Sequence, residues 1–144
     1  MSSRNIPEVF LDTEVAFDIL SKRTPHFDES KILLELVAQG KIQLCISYLC
    51  IPNLIYLGYD MYKIKGYEHI LKSFISVCQL IPTASKQVIL EAIESKFKNK
   101  EDAVQYYTAL YHKVDYYLTR NLKDYKNAHN SLPVFSLESF IAMI

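Results

Sequence analysis

Short apolar runs alternate along this chain with longer segments whose apolar residues recur at helical spacing, and this alternation restricts the fold more than any other feature. The runs are EVFL at 8–11, IQLCI at 42–46, QLIP at 79–82, DYYLT at 115–119 and PVF at 133–135. Runs with little polar alternation suit strands buried on both faces. Parallel neighbours also need a long crossover, usually a helix, between them. The expected fold is therefore α/β: a three-layer α/β/α arrangement with a central, mostly parallel sheet, in one domain spanning residues 1–144. Half of the residues are apolar, enough to bury the core of such a domain.

Local signals mark the ends of the intervening helices. A helix over 14–22 ends at Thr24-Pro25. The next opens near Asp28 with acids in its first turn and has Gly40 just past its end, as unpaired amides and carbonyls at helix termini favour. Ser47 is expected to cap a helix carrying Leu54, Ile55 and Leu57, with Pro52 in its first turns. Gly66 precedes YEHILKSFISVC, whose Ile70, Leu71, Phe74 and Ile75 share a face. Ser85 and Ser136 suit the caps of KQVILEAIESKF and LESFIAM, and the polar stretch 96–100 leads into a helix over 101–111.

Charge narrows the functional classes. Sixteen basic and sixteen acidic side chains leave no net charge, so any nucleic-acid contact must be local. No apolar run nears the roughly 18 residues that span a bilayer, and MSSRNIPEVF lacks the apolar core of a signal peptide. A cytoplasmic protein without a membrane partner is expected. Cys45, Cys50 and Cys78 form no metal-ligand spacing and read as buried thiols. His26, His69, His112 and His129 lack a nucleophile or ligand partner in sequence and read as surface or structural.

In open parallel sheets, ligands bind outside the carboxyl ends of the strands. Asp12 directly follows the first strand, and Asn121 and Asp124 follow the strand at 115–119, so they emerge on the same edge. Asp102, beside Glu101, lies in the first turn of its helix, where the macrodipole favours an ionised carboxylate. Oxygen ligands gathered this way suit Mg²⁺ or Mn²⁺ rather than a softer metal. Each residue also has a plainer reading. Asp12-Thr13 suits a helix cap, Glu101-Asp102 suits any helix start, and Asn121 with Asp124 suits a turn.

At these positions the sequence resembles the PIN-domain family, particularly small stand-alone members related to bacterial VapC-type toxins. Leu11-Asp12-Thr13-Glu14-Val15 is similar to the family's L-D-T-N-V, Glu101-Asp102-Ala103 to its acidic helix start, and Thr119-Arg120-Asn121-Leu122-Lys123-Asp124-Tyr125 to T-R-N-x-x-D-[FY]. The closing LPVFSLESF is similar to the family's last strand and helix. The resemblance implies a Mg²⁺- or Mn²⁺-dependent endoribonuclease, with Asp12, Asp102 and Asp124 catalytic and metal-binding and Asn121 a further ligand. Glu14, Glu101, Thr119 and Asn53 are accessory positions. Glu14 stands where Asn is usual, and Asn53 where many relatives carry Glu.

The resemblance further implies an RNA substrate, an antitoxin partner whose segment blocks the pocket, and a homodimer. Arg120, Lys123 and Lys98 flank the acidic positions and are candidates for RNA contact, with solvated surface as the alternative. The aromatic-rich stretches 56–67 and 106–117 offer apolar surface for a dimer, and Tyr106, Tyr107, Tyr111, Tyr116 and Tyr117 are candidates for base stacking, with core or dimer contacts the favoured alternative. An alternative function is a catalytically degenerate PIN-fold module that binds RNA without cutting it. A receiver-like phosphoacceptor would need a second acidic cluster after the first strand and a Lys after the last, and neither is present.

Overall fold

The computed structural model describes residues 5–22, 27–82 and 84–144. Its centre is a five-stranded sheet in the order β3-β2-β1-β4-β5, built from β1 (Glu8–Leu11), β2 (Gln43–Ser47), β3 (Gln79–Ile81), β4 (Tyr116–Leu118) and β5 (Val134–Phe135). Every neighbouring pair is parallel, so the sheet is wholly rather than mostly parallel. β1 lies in the middle, with Phe10 opposite Cys45 of β2 and Tyr117 of β4. Central strands need apolar side chains on both faces, and Val9, Phe10 and Leu11 are fully buried.

Alternation along the strands divides the core. Val9, Leu11, Leu44, Ile46 and Leu118 face one layer, formed by α1 (Thr13–Ser21), α2 (Phe27–Ala38), α3 (Cys50–Ile55), α4 (Tyr67–Val77) and α7 (Leu137–Met143). Phe10, Cys45 and Tyr117 face the other, formed by α5 (Lys86–Glu94) and α6 (Lys100–Tyr111). On that second side Phe10 stacks on Tyr117 at 5.2 Å between ring centroids, and Tyr106 and Phe97 extend the aromatic packing. Tyr106 and Tyr117 are thus core residues rather than surfaces open to a partner. Among the described residues no helix is long and apolar enough to cross a membrane.

Several expected signals act as the sequence suggests. Gly40 takes the left-handed conformation, φ 72°, just beyond α2. Ser85 and Ser136 cap α5 and α7, and Ser139 returns the bond in a capping box. Pro52 falls in the first turn of α3. Ser47 departs from expectation: it ends β2, and its hydroxyl accepts from the Leu49 amide at 3.0 Å, closing the turn before α3 instead of capping the helix. Cys78 is only partly buried, unlike Cys45 and Cys50. The described histidines His69, His112 and His129 are exposed as expected, whereas Thr24, Pro25 and His26 lie outside the described residues.

The sequence contains no signal for the π-helical turn at Tyr56–Met61, which continues α3. Two contacts hold it. Gly58 lies against the Tyr67 ring so closely that a Cβ there would overlap the ring carbons. The Tyr67 hydroxyl donates to the Leu54 carbonyl at 2.7 Å, satisfying a buried acceptor in the last turn of α3. Gly58→Ala is expected to destabilise the protein by about 1–3 kcal/mol through overpacking. Tyr67→Phe is expected to cost about 1 kcal/mol through the lost hydrogen bond. Denaturant unfolding checks both, and an unchanged midpoint in Gly58→Ala would contradict the close packing.

Candidate active site

The carboxyl ends of β1 and β4 open into a cleft of about 690 Å³ between α1, α3 and the start of α6. Asp12 lies at its base and is nearly buried. The residue is also the N-cap of α1. Oδ1 accepts from the Val15 amide at 3.0 Å, and Oδ2 accepts from the Thr119 hydroxyl at 2.5 Å. Each carboxylate oxygen has two lone pairs, so these bonds fix the side chain and still leave one acceptor position on each oxygen. The capping reading of Asp12 therefore holds, and it leaves the carboxylate able to accept a further ligand in the cleft.

Asp102 reaches the cleft from α6. The N-cap of α6 is Asn99, whose Oδ1 accepts from the Asp102 amide at 3.0 Å. The cap is thus supplied by a neutral amide, and no hydrogen-bond donor among the described residues engages the Asp102 carboxylate. Gln105, one turn further along α6, donates from Nε2 to Thr13 Oγ1 at 3.1 Å and so ties α6 to the start of α1. Its Oε1 is buried without a hydrogen-bond partner among the described residues.

The other expected residues separate into groups. Glu14, Asn53, Glu101 and Asn121 line the cleft with Asp12 and Asp102. Thr119 lies beneath it as the hydroxyl that holds Asp12. Asp124 sits in the 3₁₀ turn Leu122–Tyr125, outside the lining but near enough that its charge acts on Asp102. Lys98 and Lys123 are exposed away from the lining. Arg120 donates from Nη1 to Asp18 at 3.1 Å, and its Nε lies 3.9 Å from a Glu14 oxygen, so it is held against α1. Asn99, Lys100 and Gln105 complete one wall. From the sequence Lys100 is a candidate for substrate contact, Asn99 is a residue type that favours helix caps, and Gln105 lies one helical turn from Asp102.

Electrostatics set the chemistry. Burial pushes the Asp12 carboxyl up to about 6 against the hydrogen bonds from Thr119 and Val15, and the charges of Glu14 and Asp102 add to the rise. Burial likewise raises Asp102 to about 6, with Asp124, Glu14 and Glu101 contributing in that order. The single basic side chain in the lining, Lys100, donates its ammonium to the Ser95 carbonyl at 2.8 Å. Carboxylates that disfavour one another's charge, beside an unpartnered buried amide oxygen, fit a hard divalent cation. Among the described residues no three His, Cys, Asp or Glu side chains suffice to hold an ion by themselves. Any ion held here would need the neutral oxygens of Asn53, Gln105 and Asn121, or water, to share its coordination.

A family model described as a PIN domain matches residues 8–123. The chain belongs to the PIN-domain family. Three solved structures have similar folds. A chain of VapBC2 from Rickettsia felis, solved bound to a DNA fragment from their promoter, is 21% identical with a TM-score of 0.68, covering 90% of this chain and 98% of that one. A chain of a toxin-antitoxin complex from Klebsiella pneumoniae is 23% identical with a TM-score of 0.64, covering 90% and 97%. A chain of DNA-bound VapBC from Salmonella typhimurium is 17% identical with a TM-score of 0.66, covering 91% and 98%. No curated protein matches the sequence significantly. This PIN domain shares with those structures its α/β/α fold.

The raised carboxyls tie stability to pH. Between the ordinary 3.8 and about 6, the folded protein binds more protons than the unfolded chain. The stability these two groups contribute is therefore full at low pH and is lost as pH rises through that window. Asp12→Asn retains an acceptor for the Val15 amide. In metal-free thermal melts from about pH 4 to pH 7, it is expected to decline less than wild type and to gain on the order of 1 kcal/mol at neutral pH, given about 1.4 kcal/mol per pKa unit. Parallel profiles for the two proteins would contradict the burial of a charged Asp12.

Proposed function

We propose that this PIN domain, acting as one unit over the whole chain, is a metal-dependent endoribonuclease and the toxin half of a toxin-antitoxin pair. The observation that carries this reading is the convergence of Asp12 and Asp102 in one cleft with unfavourable charge around them and a single basic side chain, Lys100, in its lining. Asp12 and Asp102 would hold Mg²⁺ or Mn²⁺, with Asn121, Asn53 and the Gln105 amide oxygen as neutral donors. Asp124 and Glu14 add negative charge around them. Such an ion supplies activation of water and neutralisation of charge on the attacked phosphate.

The chain's own residues prepare that site. Thr119 and the Val15 amide hold Asp12 in a single orientation, so little freedom remains to be lost when a ligand arrives. Asn99 takes the capping task, which leaves Asp102 for ligand binding. Gln105 ties α6 to Thr13 and keeps the two acids on a common base. Specificity for RNA and the cytoplasmic setting belong to the same proposal.

A second reading, a degenerate module that binds RNA without cutting it, is favoured by the lack of a three-acid group among the described residues and by Asn53 on the cleft wall. Metal affinity separates the two. Purified protein, stripped of metal and freed of any copurified inhibitor, is expected to cleave labelled single-stranded RNA only when Mg²⁺ or Mn²⁺ is restored. Asp12→Asn is expected to lose at least 100-fold in rate, on the order of 3 kcal/mol of transition-state stabilisation. Metal-independent inactivity across several RNAs, with no metal bound in a titration, would favour the degenerate module.

The toxin reading adds an antitoxin partner, whose basic segment would enter the acidic cleft, and a homodimer. Tyr59, Met61 and Tyr62 are about half exposed on the π-helical turn and supply apolar surface for self-association. Sedimentation at micromolar concentration is expected to show a dimer, and monomer alone would remove that part of the proposal.

A further inference from the structure

The cleft has a second wall of different chemistry. Leu49, Asn53, Tyr56 and Leu57 recur at helical spacing along α3 and the start of its π-helical continuation, and Ile93 of α5 joins them in the lining. Tyr56 is 52% exposed, so a large aromatic surface stands in water beside the carboxylates. It is the one tyrosine among the lining residues. Tyr106 and Tyr117 are buried, Tyr59 and Tyr62 pack partly on Tyr67 and Phe17, Tyr111 donates to Glu91, and the exposed Tyr48 lies outside the lining.

The same cleft is poor in positive charge. Lys100 is bonded to the Ser95 carbonyl, and Arg120 is paired with Asp18 outside the lining. Phosphate ion pairs within the cleft are therefore few, and another interaction is needed there to hold a nucleic-acid strand. An aromatic ring next to an acidic floor that would hold a divalent cation matches a ligand with a flat apolar face and an anionic group to meet that cation, which is a nucleotide unit. A base within a duplex has both faces covered by its neighbours, whereas an unpaired base offers a free face for stacking.

We infer that Tyr56 is the platform on which a base of the RNA stacks, beside the phosphate presented to Asp12 and Asp102. The inference rests on the nuclease reading for the identity of the strand. The backbone around Tyr56 is shaped for such a role. π-Helical turns are rare and frequently mark functional sites. This one begins at Tyr56 and is locked by Gly58 against Tyr67 and by the Tyr67 hydroxyl on the Leu54 carbonyl. A platform already rigid before binding loses little freedom when the base arrives.

The test uses the full chain and a single-stranded RNA oligonucleotide carrying 2-aminopurine, whose fluorescence is quenched by stacking. With Mg²⁺ present and a phosphorothioate-linked oligonucleotide that resists cleavage, wild type and Tyr56→Phe are expected to quench it with similar affinity. Tyr56→Ala is expected to bind roughly 5- to 100-fold more weakly. In the cleavage assay Tyr56→Ala is expected to raise KM by a similar factor with kcat little changed. Equal quenching by wild type and Tyr56→Ala, or none by wild type, would overturn the inference even if RNA is cleaved. Quenching that depends on Tyr56 without any cleavage would retain the platform and remove the nuclease. Sedimentation of Tyr56→Ala completes the test, because conversion of a dimer to monomer would assign Tyr56 to a subunit contact and overturn the platform.

Discussion

A carboxylate held at the end of a central buried strand governs this molecule. Asp12 cannot be solvated there as it would be in water, and the fold compensates with two hydrogen bonds from different elements, the Val15 amide of α1 and the Thr119 hydroxyl after β4. Burial still outweighs both and raises its affinity for a proton. The arrangement fixes the entry into α1, joins neighbouring strand ends, and leaves an under-neutralised acid at the base of the cleft. A cost of this kind is common at functional sites, where local stability is exchanged for a poised group.

The surrounding architecture follows from the same strand. With β1 central and all its neighbours parallel, the ends of β1 and β4 emerge on one edge, which places Asp12 beside Thr119 and Asn121. The second layer brings α6 to that edge, so Asp102 arrives from a different part of the chain. Aromatic packing of Phe10, Tyr106 and Tyr117 beneath the site makes the base of the cleft rigid. The apolar wall around Tyr56 comes from α3, which completes a cleft of acids, amides and one exposed ring.

Much of the candidate site was legible before the fold. Asp12 and Asp102 stand at a strand end and a helix start, and both positions leave local traces in the sequence. Their capping readings turned out differently: Asp12 does cap α1, whereas Asn99 relieves Asp102 of that task. Ser47 shows the limit of local signals, because a serine shortly before a helix caps it only if the chain enters directly, and here a turn at Tyr48 and Leu49 intervenes. The basic residues near the site were less informative still. Arg120 looks available in sequence, yet Asp18, far away along the chain, claims its guanidinium.

The sequence by itself determined the order of strands and helices and the acids at their ends, because apolar periodicity and terminal backbone groups act over a few residues. Tertiary structure alone decided which acids share a cleft, which cations are already paired, and which tyrosine remains exposed beside them. Those outcomes depend on groups far apart along the chain, brought together by burial of the two core layers on the sheet. The π-helical turn belongs with them, since Gly58 and Leu54 meet Tyr67 only once α3 and α4 have packed.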